Sequence, residues 1–197
     1  MTSFAIPDWN AAGVLPPVDP RQPTGLERSP YTVALTDLIL RFGRTPEWRA
    51  VLDGFLRYRA ELHGAGLTAG FQWLNGSFLE HIELLEQRPP NDLDLVTFLR
   101  FPTGLSQRDL LVRCPQLFPT DVEGQQILKA TYRVDGYLVD LGMAPEGLVK
   151  RAAYWYSLWS HRRNNTWKGY LAVDLAPAND TAAQFELATL NSERPQS

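Results

Sequence analysis

Apolar residues recur at helical spacing over Trp48, Val51, Leu52, Phe55, Leu56 and Leu62. This predicts an amphipathic helix, opened by Thr45 as N-cap with Pro46 in the first turn and stopped by Gly64 and Gly66. Before it, residues 31–42 read as a short helix; after it, 67–75 read as a strand and 77–86 as a helix ended before Pro89-Pro90. The run LDLVTFL (93–99) predicts a strand. Ser106 is placed to cap a helix over 107–114, and Thr120-x-x-Glu123 reads as a capping box opening a helix to about Ala130. In YRVDGYLVDL, Asp135-Gly136 lies between two alternating runs, which predicts a hairpin with a type I′ turn. A long aromatic helix over 145–161, a strand over 169–175 and a helix over 181–190 complete the reading. Strands and helices interleave, so the expected class is α/β or α+β around one sheet.

Residues 1–30 follow no such period. Six prolines (Pro7, Pro16, Pro17, Pro20, Pro23, Pro30) predict an extended arm, with Phe4, Ile6, Trp9, Val14 and Leu15 available to pin it to a body spanning 31–191. Residues 192–197 read as a disordered tail.

Composition narrows the classes. The 197 residues are 44% hydrophobic and 21% charged, ordinary for a soluble globular chain, with a formal net charge of −3. That balance argues against a nucleic-acid coat over the whole surface and leaves room for a local basic patch. Only Lys129, Lys150 and Lys168 are lysines; the other sixteen cations are arginines, which suit bidentate contacts to phosphate or carboxylate. Cys114 is the single cysteine, so neither an internal disulfide nor a multi-cysteine zinc site is expected. No stretch is apolar enough for a membrane span and the amino terminus lacks a signal-peptide pattern, so a cytoplasmic location without membrane association is expected.

The chemistry concentrates in Asn75-Gly76-Ser77 and, after fourteen intervening residues, Asp92-Leu93-Asp94-Leu95-Val96. Alternation along a strand puts Asp92 and Asp94 on one face, about 7 Å apart along the backbone. Two carboxylates so placed repel unless a cation sits between them, and Mg²⁺, which combines a few carboxylates with substrate phosphates, is the natural one. Gly76 permits close backbone approach and Ser77 can hold a phosphate where the strand turns into a helix. The plainer alternative is that Ser77 only caps that helix while both aspartates face solvent. Residues 147–173 contain no acidic residue but carry Lys150, Arg151, Arg162, Arg163 and Lys168 among Tyr154, Trp155, Tyr156, Trp159 and Trp167. Lys168, Arg162 and Arg163 are the candidate phosphate cations, and the aromatics are candidates for stacking on a base. Alternatively, Val149, Ala152, Ala153, Tyr156, Trp159 and Ser160 form a core-facing stripe and the two arginines a solvated helix end. His81 reads as a surface or loop-facing residue, His63 as a helix cap, and Cys114 as a small buried side chain.

Gly-Ser, a helix, then an apolar-flanked Asp-x-Asp resembles the DNA polymerase β-like nucleotidyltransferase superfamily. GVLPP (13–17), Gly76-Ser77-Phe78, PPNDLDLV (89–96) and Lys168-Gly169 look more narrowly like a bacterial family of nucleotidyltransferase-like proteins of unknown function. The resemblance implies a small mixed β-sheet flanked by helices, with two strand aspartates and a third carboxylate on a later strand holding Mg²⁺ or Mn²⁺. By that likeness Gly76 and Ser77 match the phosphate contacts and Asp92 and Asp94 the metal ligands. Asp140, in Leu138-Val-Asp-Leu, is the leading candidate for the third; Asp174, in Ala172-Val-Asp-Leu, is the second, and Asp135 is assigned to the turn. The implied function is transfer of a nucleotidyl group from an NTP to a hydroxyl of RNA, protein or a small molecule, as in toxin or defence components. A pseudoenzyme that binds a nucleotide or partner without turnover is the alternative, and a metal-dependent phosphodiesterase a third reading.

Overall fold

The computed structural model describes residues 5–19 and 21–192, so Phe4, Pro20 and residues 193–197 of the expected arm and tail lie outside the described residues. Five strands, β1 (Tyr31–Thr32), β2 (Gly70–Asn75), β3 (Leu93–Leu99), β4 (Val134–Asp140) and β5 (Leu171–Asp174), form one mixed sheet in the order β1-β5-β2-β3-β4. β1 runs parallel to β5 and β3 parallel to β4; β2 is antiparallel to both neighbours. Helices α1 (Leu35–Phe42), α2 (Pro46–Gly64), α3 (Ile82–Glu86), α4 (Gln107–Arg113), α5 (Val122–Tyr132), α6 (Pro145–Trp159) and α7 (Asp180–Ser192) flank it. The mixed α/β class expected from the sequence is the one observed. No helix among the described residues is long and apolar enough to cross a membrane.

The helix over 46–64 starts at Pro46 after an extended Thr45 and buries Trp48, Val51, Leu52, Phe55, Leu56 and Leu62, as its period predicts. It packs with α1 and α7. β3 lies between β2 and β4 and is buried at nearly every position. Ser106 caps α4 through a reciprocal capping box with Asp109. Among the described arm residues, Val14 and Leu15 are buried, and the Trp9 indole stacks on His81 at 4.5 Å and donates to the Leu79 carbonyl. His81 is thus a packing partner of the arm rather than a free surface residue.

Several local expectations are corrected. The helix expected over 31–42 begins only at Leu35, because Tyr31 and Thr32 pair with Leu171 and Ala172 as an edge strand. The helix expected over 77–86 is a single 3₁₀ turn, Ser77–Leu79, an extended Glu80, and then the five-residue α3. α5 is capped by Asp121, whose carboxylate accepts the Gly124 N–H, rather than by Thr120. The hairpin at Asp135-Gly136 does not form. α5 consumes the chain to Tyr132, Arg133 makes the reversal in the left-handed region, and Val134–Asp140 continues as one strand along the full length of β3. Of the stripe expected on α6, Trp159 and the following Ser160 are buried, whereas Val149 and Tyr156 are exposed and Trp155 packs on the core beside Trp159.

Candidate metal and nucleotide site

Strand register assembles the site. Asn75, the last residue of β2, lies beside Asp94 on β3, and Asp94 lies beside Asp135 on β4. Lateral neighbours share a face of the sheet, and Asp92 shares it by alternation. Asp92, Asp94 and Asp135 each offer a carboxylate oxygen within 4.8 Å of the others. The expected pair Asp92 and Asp94 lies together here, and Asp140, expected as the third carboxylate, does not join them. Asp140 pairs with Leu99, at the other end of the strand pair. It is five residues from Asp135, hence on the opposite face and about 17 Å along the strand. Its carboxylate accepts the Gly142 N–H at 2.6 Å and lines a different cavity, with Arg100. Asp174 pairs with Phe71 at that same far end and accepts the Ala176 N–H at 2.7 Å. Both apolar-flanked aspartates close local turns.

Gly76 stands against this cluster at φ +88°, and a Cβ there would lie 2.8 Å from Asp94 Oδ2. Only glycine fits without displacing the carboxylate. Gly76 and Ser77 line a cleft of about 740 Å³ together with the three aspartates. Because the segment after Ser77 is a single 3₁₀ turn, the helix N-terminus expected to attract a phosphate is absent, and the serine hydroxyl and local backbone are what remain for that task.

The electrostatics are those of like charges in a partly dry place. Burial, and then the charges of Asp92 and Asp135, push the Asp94 carboxyl up to about 6, with Lys168 and Lys129 pulling the other way. Lys129 on α5 reaches across to Asp92 with Nζ 2.6 Å from Oδ2. Burial opposes its charge, but the Asp92 contact and the neighbouring acids outweigh that and hold its pKa above the ordinary value. The donor set of three hard carboxylate oxygens suits Mg²⁺ or Mn²⁺ rather than a soft metal. The Lys129 ammonium is the one cation in direct contact with these three carboxylates among the described residues.

Lys168, Arg162 and Arg163 line the same cleft, as do Tyr154, Leu158 and Tyr137. Arg162 and Arg163 lie beyond the helix end, in a loop closed by the Arg162 N–H to the Thr166 carbonyl and by the Lys168 N–H to the Ser160 carbonyl. Lys168 is buried, its Nζ 2.7 Å from Glu80 Oε1. Lys129, Glu80, Glu86, Arg88 and Asp135 are cleft residues that sequence reasoning missed. Lysine scarcity was the available signal, since two of the three lysines of the chain reach this cleft.

Among known proteins, the chain matches the Family of unknown function (DUF6932) over residues 7–174, most of its length, and it belongs to that family. No curated protein and no solved structure matches it.

Proposed function

We propose that this chain is a metal-dependent nucleotidyltransferase, moving a nucleotidyl group from an NTP to an acceptor hydroxyl of RNA, protein or a small molecule. The observation that carries the reading is the convergence of Asp92, Asp94 and Asp135, from two neighbouring parallel strands, in a cleft that also holds Lys168, Arg162 and Arg163. A carboxylate cluster and a cationic lining in one cleft are what a substrate with a polyanionic tail and a divalent counter-ion requires.

Asp92, Asp94 and Asp135 would hold Mg²⁺ or Mn²⁺. Such ions, when bound, neutralise phosphoryl charge and lower the pKa of the attacking hydroxyl. The chain's own groups do the remaining work. Ser77 and the backbone beside Gly76 orient a phosphate, and Lys168, Arg162 and Arg163 offset its charge. A carboxylate oxygen of Asp135 takes the proton of the acceptor hydroxyl as its oxygen bonds to the α-phosphorus. The bond from that phosphorus to the bridging oxygen breaks, and pyrophosphate leaves. The cytoplasmic location expected from the sequence belongs to this same proposal.

A second reading, a non-catalytic nucleotide-binding protein, draws on one observation: Lys129 already compensates Asp92. One experiment separates the two. Each α-labelled NTP is incubated with Mg²⁺ or Mn²⁺, cellular RNA and lysate. Wild type is expected to label an acceptor, and Asp92→Asn, Asp94→Asn and Asp135→Asn to lose about 10²-fold or more of that labelling. Equal labelling by wild type and all three variants would refute the assignment. NTP binding without labelling would favour the non-catalytic reading.

A further inference from the structure

One stretch of the cleft lining is built from residues 80–88 and 160–168, and five of its charged side chains form a ladder of alternating sign. Lys168 Nζ lies 2.7 Å from Glu80 Oε1, and Arg162 Nε lies 3.0 Å from Glu80 Oε2. Arg162 Nη2 donates to Glu86 Oε1 at 2.9 Å, and Arg88 Nη2 lies 2.8 Å from Glu86 Oε2. All five side chains line the cleft that contains the three aspartates. Three cations against two anions leave this ladder net positive.

The two anions differ in kind. The Glu80 side chain is 6% exposed and each of its oxygens carries a cation. A carboxylate so enclosed cannot be removed without stranding charge, so it acts as a strut. The Glu86 side chain is 40% exposed, and its contacts with Arg162 and Arg88 are of the weak, water-screened kind. Arg162 is shared between them. Glu80 holds its Nε, while its Nη2 reaches toward the open end and Glu86. A guanidinium anchored on one edge is already oriented to bind a tetrahedral anion in place of a carboxylate.

We propose that this ladder is an exchangeable binding site for a linked-phosphate chain: the polyanion displaces Glu86 from Arg162 and Arg88, while Glu80 keeps Arg162 and Lys168 in position. The inference deepens the nucleotidyltransferase reading, on which it rests, by naming where the triphosphate tail is recognised. Glu86 then occupies the cations that the ligand would take, and Glu80 is a positioning residue that touches no substrate.

The two glutamates therefore have effects of opposite sign, which a purely structural ion-pair network would not produce. Calorimetric titration of the full chain with inorganic triphosphate in excess Mg²⁺ reads this directly. Glu86→Gln is expected to bind about 3- to 10-fold more tightly, because the competing carboxylate is gone. Glu80→Gln is expected to bind about 10-fold or more weakly, and Arg88→Ala, at the exposed end, about 3-fold more weakly. Should Glu80→Gln fail to fold, the contrast between Glu86→Gln and Arg88→Ala carries the same test. Effects of one sign in Glu86→Gln and Arg88→Ala, or no binding by wild type, overturn the proposal. Label transfer is scored separately. Opposite signs without transfer leave the ladder standing and remove the catalytic reading; transfer with unchanged affinity in the glutamate variants does the reverse.

Discussion

Two groups of enclosed charge sit on this sheet, and they follow opposite rules. In one, the Arg59 guanidinium of α2 is fully buried and donates through Nε and Nη2 to both oxygens of Asp180, at 2.9 and 2.6 Å, and through Nη1 to Gln72 at 2.6 Å. Gln72 in turn donates to Thr97. His63 stands 3.7 Å from Asp180 and 2.8 Å from the Leu175 carbonyl. Every charge there has its opposite, and the bonds join α2, α7, β2 and β3. In the other, three carboxylates gather with a single ammonium bonded to one of them. A balanced buried network holds elements together; an unbalanced one costs stability and is kept where something must bind.

That contrast can be broken by experiment, most forcefully at Arg59. Arg59→Ala leaves the Asp180 carboxylate buried without its partner, and is expected to lower unfolding free energy by about 3–5 kcal/mol in urea titrations. The cleft should answer in the opposite direction. Asp135→Asn relieves like-charge repulsion, so metal-free stability is expected to hold or rise by up to about 1 kcal/mol, while the thermal stabilisation that the proposal expects from Mg²⁺ is lost. Asp140→Asn, at the far end of the same strand, should leave that stabilisation intact. A loss of metal-free stability in Asp135→Asn comparable to that in Arg59→Ala would erase the distinction.

A pH dependence sharpens the same contrast. The Asp94 carboxyl is raised from its ordinary 3.8 to about 6, so between those values the folded chain binds this proton more readily than the unfolded chain. Its contribution to stability is therefore complete below the lower value and is lost as pH rises through about 6. Metal-free protein should gain stability through this group between about pH 7 and about pH 5, and Asp94→Asn should remove that gain. Urea midpoints at the two pH values measure it.

Much of the fold was legible because its signals are local. Thr45-Pro46 marks a helix start, Ser106 marks another, and LDLVTFL reads as a buried strand wherever it is placed. Asp92 and Asp94 were legible for the same reason: alternation along one strand is a property of two adjacent residues. Asp135 was not. Asp-Gly is a strong turn signal in isolation, and the three-carboxylate cluster excludes Asp140 and Asp174 only through pairing that a linear pattern does not contain. Likewise Glu80 and Lys168 are 88 positions apart, and nothing in either segment announces the other.

By itself, then, the amino-acid order determined which stretches coil or extend, which faces are apolar, and that one strand presents two carboxylates together. The tertiary structure decided which third acid joins them, that Lys129 leans on Asp92, and that buried Glu80 orients two cations of the cleft. The physical reason is range. Backbone propensity and side-chain alternation act over a few residues, whereas charge balance in a cleft depends on lateral register and on chain segments that meet only after the sheet is assembled.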